Sequence, residues 1–159
     1  PSLPHLEAFC QQHGIGLSPR QVERFVAFRE ALYEANRTRN LTRIRFEDCE
    51  LLHFVDSLLV AEFIPTGAQV LDIGTGPGFP AWPLACTRPD LEVTALDSSS
   101  KMLGFLETQP LSNLRVVRVR AEEWNELERF DFVTGRAVAP LAAQLEVSAR
   151  PCRIGGLVV

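Results

Sequence analysis

The chain has 159 residues, of which 46% are hydrophobic and 23% charged, and its formal net charge is −4. This length and composition are typical of one globular domain with a hydrophobic core. No apolar run reaches the roughly 18 residues that a membrane helix needs, and no secretion signal opens the sequence. We therefore expect a soluble, cytoplasmic protein.

Three helices are predicted in residues 1–65. The first covers Leu6 to Gln12. Ser18 begins the second, with Gln21 closing a capping box, and apolar residues at helical spacing extend it to about Ala35. The third covers Glu47 to Phe63 and has its apolar positions at Leu51, Leu52, Val55, Leu58 and Leu59.

From Thr66 onward, apolar runs of strand length alternate with helical segments. The predicted strands are Gln69 to Ile73, Glu92 to Leu96, Leu114 to Val119, Phe130 to Thr134 and Gly156 to Val159. The predicted helices are Pro80 to Thr87, Ser98 to Gln109 and Leu141 to Ala149. This alternation predicts a doubly wound, Rossmann-like parallel sheet at 66–159 behind a helical extension at 1–65. Because the fifth strand only begins near Val159, we expect further strands beyond it.

The cysteines and the basic residues indicate two further properties. Cys10, Cys49, Cys86 and Cys152 lie far apart without a C-x-x-C pair, which favours buried thiols over a zinc site or disulfides. All but one of the 16 basic residues are arginines, and no acid interrupts the stretch that holds Arg37, Arg39, Arg43 and Arg45. Arginine suits phosphate, so these residues are candidates for binding an anionic partner. A solvated face paired with Glu30 and Glu34 is the alternative.

A glycine-rich loop follows the first strand in the stretch "VLDIGTGPGFPAWPLA" at 70–85. The dinucleotide pattern G-x-G-x-x-G fails here, because Phe79 stands where the third glycine belongs. Pro77, Pro80 and Pro83 also remove N–H donors that a pyrophosphate would need. The spacing D-x-G-x-G-x-G is instead similar to that of class I S-adenosylmethionine (AdoMet) methyltransferases.

Two further segments are expected at the same edge of the sheet, where the strands end. Asp97, followed by Ser98, ends the second strand and can accept hydrogen bonds from ribose hydroxyls. An alternative role for Asp97 is the N-cap of the next helix. After the third strand, Ala121 and Glu122 can meet an adenine edge, or else form an acidic solvated turn.

Six motifs together resemble the bacterial ribosomal RNA small subunit methyltransferase G family, also called glucose-inhibited division protein B. They are "RNLTRI", "HFVDSLLV", "LDIGTGPGFPAWPLA", "LDSSSKMLGFL", "RAEEW" and "GRAVAPL", in this order from about residue 20 to Val159. The resemblance implies methyl transfer from AdoMet to N7 of a guanine in 16S rRNA of the small ribosomal subunit. Because the sequence contains no metal-ligand constellation, we expect no metal. We expect a monomer.

The resemblance also implies roles for individual residues. Gly74, Gly76, Gly78 and Phe79 correspond to the loop beside the methionine part of AdoMet, Asp97 with Ser98 to the ribose site, and Ala121 with Glu122 to the adenine site. Arg136 corresponds to an active-site arginine that positions the guanine; an ion pair with Asp72 or Asp56 is the alternative. The chain departs from the family at Ala81, where glycine is usual, at Trp82, where a smaller aliphatic is usual, and at Met102, where a basic residue is common.

The third predicted helix carries His53, Asp56 and Ser57 on adjacent turns. His53 and Asp56 have the spacing of half a metal site, but no second cluster completes it. We therefore predict that these residues hold the helical extension against the cofactor edge of the sheet, and a catalytic role is the alternative. Alternative functions remain a methyltransferase of small molecules or proteins, or a non-catalytic AdoMet- or RNA-binding module.

Overall fold

A parallel sheet of five strands organises the fold. The computed structural model describes residues 2–124 and 129–135, and for 152–158 the backbone. The strand order is β3-β2-β1-β4-β5, with β1 at Gln69–Ile73, β2 at Glu92–Asp97, β3 at Leu114–Arg118, β4 at Phe130–Gly135 and β5 at Cys152–Val158. The order reverses between β1 and β4, which creates the switch point of a doubly wound sheet.

The central strands are buried on both faces, as their continuous apolar sequences predict. In β1 every residue after Gln69 is buried. Its register aligns Leu71 with Thr94 of β2 and with Val133 of β4. The first four predicted strands are therefore confirmed to within one residue at either end.

The fifth strand begins earlier than predicted, at Cys152 rather than Gly156. Cys152 pairs with Phe130 of β4, and a register irregularity separates this pair from the next one. Pairing with a neighbouring strand thus extends β5 through glycines, whose own strand propensity is low.

Within residues 2–124 and 129–135, five α-helical segments accompany the sheet: α1 at Pro4–Gln12, α2 at Pro19–Arg39, α3 at Asp56–Leu58, α4 at Ala81–Thr87 and α5 at Ser100–Leu106. The predicted helix at 141–149 lies outside the described residues. Among the helices that the structure describes, none has the length and apolarity needed to cross a membrane.

Helix α2 confirms the predicted capping box. The Gln21 N–H donates to Ser18 Oγ over 3.2 Å, and the Ser18 N–H donates to Gln21 Oε1 over 2.7 Å. The helix continues to Arg39, four residues past the predicted end, and stops at Asn40, which adopts φ 52°. Asparagine tolerates this left-handed conformation better than most residues.

The third predicted helix is not continuous, so this prediction was wrong. Residues 46–63 form a 3-10 turn at Phe46–Asp48, a π-helical segment at Glu50–Val55, the single turn α3, and a 3-10 turn at Ala61–Phe63. The apolar face was also misassigned. Leu51, Leu52 and Leu59 are about half exposed, whereas Glu50 and His53 are buried.

The hydrophobic core lies on both sides of the sheet. One large cluster unites the helical extension, helices α4 and α5, and one face of the sheet. A smaller cluster covers the other face, with Leu71, Ile73, Leu96, Trp124, Phe130 and Val133. Because the extension shares the larger cluster, the division into 1–65 and 66–159 remains a prediction rather than a visible boundary.

Candidate functional site

The glycine-rich loop leaves β1 at the carboxyl edge of the sheet. Gly76 has φ 60° and Gly78 has φ 125°, values that other residues rarely adopt. A Cβ added at Gly76 would meet no atom within 4 Å, whereas one at Gly78 would lie 2.7 Å from Leu106 Cδ1. Gly76 therefore faces open space, and Gly78 permits close packing on α5.

The backbone N–H groups of this loop are all donated within the protein. Gly74 and Thr75 donate to the Leu96 carbonyl, Gly76 to Asp97 Oδ2, Gly78 and Phe79 to the Thr75 carbonyl, Ala81 to Asp72 Oδ2, and Trp82 to the Gly78 carbonyl. The intervening prolines have no N–H group. The loop therefore retains no donor for a pyrophosphate, which agrees with the interpretation of the failed dinucleotide pattern.

Asp72 holds the glycine-rich loop in place through two hydrogen bonds. This side chain is fully buried in β1, and its Oδ2 accepts hydrogen bonds from Thr75 Oγ1 at 2.7 Å and from the Ala81 N–H at 3.2 Å. Sequence analysis did not assign it a supporting role, although a carboxylate inside an apolar strand is a signal of one, since a buried charge requires partners.

Asp97 joins the end of β2 to the glycine loop. Its Oδ2 accepts from the Gly76 N–H at 2.8 Å and its Oδ1 from the Ser99 N–H at 2.9 Å. The N-cap of α5 is Ser99, whose side chain accepts from the Met102 N–H. The capping role considered for Asp97 is therefore wrong. Each carboxylate oxygen has a second lone pair that can accept from a ligand.

A cavity of about 270 Å³ opens where β1, β2 and β3 end. Five residues that the sequence assigned to the cofactor line it: Gly74, Asp97, Ser98, Ala121 and Glu122. The last two lie in a 3-10 turn at Ala121–Glu123, and the Val119 N–H donates to the Asp97 carbonyl just before that turn. The strand ends thus bring together residues far apart in sequence.

Phe79 contributes to the core rather than to the cavity. Its side chain is 1% exposed, and its ring stacks on the imidazole of His53 with 4.0 Å between centroids and 7° between planes. Neither Phe79 nor Gly78 lines the cavity. Only the backbone of Phe79 can therefore face a ligand beside the loop.

His53 connects the helical extension to the glycine loop. Besides stacking on Phe79, its Nε2 lies 2.8 Å from Thr42 Oγ1, and its carbonyl accepts from Ser57 Oγ. Asp56 is exposed and takes no part in these bonds. Across residues 2–124 and 129–135, no three His, Cys, Asp or Glu side chains form a group that could hold a metal ion.

The large residue at position 82 fits between two helices. Trp82 packs on Phe28 of α2 with 4.3 Å between ring centroids, and its Nε1 donates to the Gln109 carbonyl over 3.0 Å. This bond holds the turn that follows α5. The departure from the family at Trp82 is therefore accommodated by these contacts, and Trp82 does not line the cavity.

The arginine stretch lies next to the first turn of α5, where Lys101 Nζ donates to the Asn40 carbonyl over 3.3 Å. Two of its arginines have acidic partners, Arg37 with Glu34 at 3.3 Å and Arg45 with Asp48 at 3.0 Å. The Asp48 carboxylate raises the pKa of Arg45. The side chains of Arg39 and Arg43 are exposed and make no hydrogen bond or ion pair with any described residue. Arg136 lies outside the described residues.

Two solved structures with a similar fold are methyltransferases. The chain is similar to a SAM-dependent methyltransferase from Aquifex aeolicus, with a TM-score of 0.54 and 24% identity over 66% of this chain and 62% of that one. It is also similar to phosphoethanolamine N-methyltransferase 2 from Haemonchus contortus, crystallised with S-adenosyl-L-methionine, with a TM-score of 0.52 and 24% identity over 60% of this chain and 24% of that one. These likenesses establish the class I methyltransferase fold.

Curated relatives are more similar in sequence. The chain is 38% identical to the ribosomal RNA small subunit methyltransferase G of Leuconostoc citreum, over 90% of this chain and 65% of the relative. It is 42% identical to the protein of the same name from Caldanaerobacter subterraneus, over 90% of this chain and 64% of the relative. The chain thus spans just under two thirds of these relatives. The family model described as rRNA small subunit methyltransferase G (GidB) matches residues 21–159, and the chain accordingly belongs to that family.

Proposed function

We propose that this chain binds AdoMet in the cavity beside the glycine loop and transfers its methyl group to N7 of a guanine in 16S rRNA. The observation that carries the proposal is the contact between Gly76 and Asp97, which joins a loop without free N–H groups to a carboxylate at the cavity. Membership of the family and the names of the relatives support the rRNA substrate.

The cavity suits AdoMet in chemistry and size. AdoMet has ribose hydroxyls that Asp97 can accept from, and no phosphate that would need the missing N–H donors. At about 270 Å³ the cavity is close to the lower limit of small-molecule sites, about 300 Å³. This volume suits the nucleoside, while the open space at Gly76 leaves room for the remainder.

The chain's own residues act by positioning. When bound, AdoMet supplies an electrophilic methyl group on its sulfonium. Guanine N7 carries an in-plane lone pair and no proton, so the protein does not need a general base. Asp97 and the glycine loop hold the methyl donor, and Arg136, in the family motif "GRAVAPL", is proposed to hold the guanine by stacking or by bonding its O6. Alignment of this kind is worth up to about 7–11 kcal/mol of the barrier.

The arginine stretch is proposed as the RNA-binding surface, with Arg37, Arg39, Arg43 and Arg45 contacting phosphates. Arg39 and Arg43 support this proposal most directly, because they are exposed without a described acidic partner. The contact between Lys101 and Asn40 brings the stretch close to the helix that follows Asp97. We propose that the chain acts as a monomer, in the cytoplasm, on the small ribosomal subunit.

The decisive experiment combines binding and transfer. Calorimetry should detect AdoMet binding to the wild-type chain, and Asp97→Ala should weaken it by about 1–3 kcal/mol because charge-assisted bonds are lost. Labelled AdoMet and small subunits from a strain that lacks the modification should then give a label at one guanine. Label on protein or on free nucleotides would favour a methyltransferase of proteins or small molecules. AdoMet binding without methyl transfer would favour a non-catalytic module.

The RNA surface can be tested by its salt dependence. Replacing Arg39 and Arg43 by alanine should reduce the slope of log K against log salt by up to about 0.9 per phosphate contact, while AdoMet affinity stays unchanged. The matched control removes Arg20 and Arg24 at the other end of α2, where Gln21 contacts Cys86 at the end of α4. An equal loss of slope in both variants would contradict a localised surface.

Arg136 is tested by single-turnover transfer at saturating AdoMet and RNA. Arg136→Ala should lower the rate by about 10² or more, the scale of a misplaced reacting group, and Arg136→Lys should not restore it, since lysine lacks the planar fork. The wild-type rate should be nearly flat from about pH 6.5 to 8.5 because no base titrates. A near-normal rate for Arg136→Ala, or a log-linear rise with pH, would contradict this mechanism.

A further inference from the structure

An exposed aromatic ring lies at the end of the arginine stretch. Phe46 is 40% exposed. The ring of Tyr33 meets it at 80° with 5.4 Å between centroids, and the guanidinium of Arg29 lies 4.5 Å from its centroid. Phe46 is therefore held in place by two partners while a large part of it remains in contact with solvent.

The backbone that leads to this ring is held by side-chain hydrogen bonds. Asn36 Oδ1 accepts from the N–H groups of Leu41 and Thr42, at 2.7 Å and 2.9 Å. Thr42 Oγ1 accepts from the Ile44 N–H at 3.1 Å, and Tyr33 Oη donates to the Ile44 carbonyl over 2.8 Å. A segment fixed in this way loses little conformational entropy when it binds a partner.

Charged residues of both signs flank Phe46 in the sequence, and the segment before it is the more basic one. Arg45 is paired with Asp48, and Glu47 is exposed beside it. On the preceding side, Arg39 and Arg43 are exposed and have no acidic partner among the described residues. Arg29 already lies over the ring, so the arginines of the stretch that are left to bind a ligand's phosphates are Arg39 and Arg43.

We propose that Phe46 is a stacking platform for an unpaired base of the RNA substrate, with Arg39 and Arg43 binding the flanking phosphates. Aromatic rings and arginines together are typical of single-stranded RNA recognition, since unpaired bases can stack and duplex bases cannot. The inference rests on the proposed rRNA substrate and adds how the strand is held next to the cofactor edge.

The test uses the full chain and two probes, in vitro transcribed 16S rRNA and a single-stranded oligoribonucleotide that contains 2-aminopurine. Phe46→Leu retains an apolar side chain but not the flat ring, and it should raise Kd for both probes by about 5- to 150-fold. Phe46→Trp should keep wild-type affinity. Wild-type protein should quench 2-aminopurine fluorescence on binding, and Phe46→Leu should not, while the salt slope stays the same in both.

Phe63 provides the matched control, because it is 62% exposed but lies in the 3-10 turn at Ala61–Phe63, outside the arginine stretch. Phe63→Leu should leave Kd unchanged, and unfolding in urea should verify that each variant is folded. Wild-type affinity and quenching in Phe46→Leu would overturn the stacking role while leaving the methyltransferase proposal intact. Wild-type protein that binds AdoMet but neither RNA probe would overturn the stacking role, whereas the rRNA substrate would be overturned separately, by wild-type protein that leaves small ribosomal subunits unlabelled.

Discussion

Gly76→Ala separates the role of the glycine loop in ligand binding from its role in folding. In the folded protein the new Cβ meets no atom within 4 Å, so the substitution introduces no clash. The N–H of residue 76 also keeps its bond to Asp97, which measures 2.8 Å in the wild type. Two effects remain. The backbone conformation at residue 76 is less favourable for alanine, and the new methyl group occupies space beside the loop that the ligand would use.

Both effects can be given a magnitude. At φ 60° alanine costs about 1–2 kcal/mol relative to glycine, and the smaller entropy of the unfolded chain offsets about 0.4–1 kcal/mol of that. We therefore expect Gly76→Ala to lose about 1 kcal/mol of unfolding free energy. An extra methyl group in an otherwise filled binding site costs about 1–3 kcal/mol, which is a 5- to 150-fold weaker affinity for AdoMet.

Gly104→Ala is the matched control for these measurements. Gly104 lies inside α5, and a Cβ there also meets nothing within 4 Å. Because its backbone is helical, alanine should add about 0.5–1 kcal/mol of stability without changing AdoMet affinity. Urea unfolding and titration calorimetry measure both quantities. Wild-type AdoMet affinity in folded Gly76→Ala would refute the placement of the ligand beside this loop.

Three further predictions concern the contacts that hold the site. Gly78→Ala should cost more stability than Gly76→Ala, about 2–3 kcal/mol in urea unfolding, because its Cβ would lie 2.7 Å from Leu106 Cδ1 at φ 125°. The Arg88 guanidinium lowers the pKa of Asp90 from 3.8 to about 2. This pair therefore stabilises the fold above about pH 4, and the stabilisation is lost as the pH falls toward 2. Arg88→Ala should flatten the dependence of the unfolding free energy on pH in this range. Thr42→Val removes the bond to the buried imidazole of His53 and should lower the unfolding free energy by about 1–3 kcal/mol. An unchanged urea midpoint would contradict a stabilising role for this contact between the helical extension and the glycine loop.

Much of the candidate site could be predicted from sequence because of how parallel strands are arranged. Apolar runs identify the strands, and their carboxyl ends meet at one edge of the sheet. Residues directly after these runs, such as Gly74, Asp97 and Ala121, therefore come together at one cavity. The side-chain directions could not be predicted, and Phe79, which follows the loop glycines, points into the core instead.

The supporting contacts depend on residues distant in sequence. Arg88 Nη1 donates to the Ala61 carbonyl over 2.9 Å, and so links the end of α4 to the helical extension. Nothing in the local pattern around Arg88 indicates this contact. It is formed only because the extension and the sheet pack into one hydrophobic cluster.

By itself the sequence determined those elements whose causes are local. The capping box joins Ser18 to Gln21, three positions apart, and each of the strands β1 to β4 is defined by its own apolar run, so these elements can be predicted without knowledge of the fold. The segment at 46–63 is different, since it is apolar on all sides and its periodicity does not select a face. Contacts in the tertiary structure determine which face of this segment is buried. The Glu50 carboxylate accepts from the Leu6 N–H at 2.9 Å, and His53 stacks on Phe79. Burying these polar side chains requires partners from other parts of the chain, and satisfying them leaves leucines of the same segment exposed to solvent.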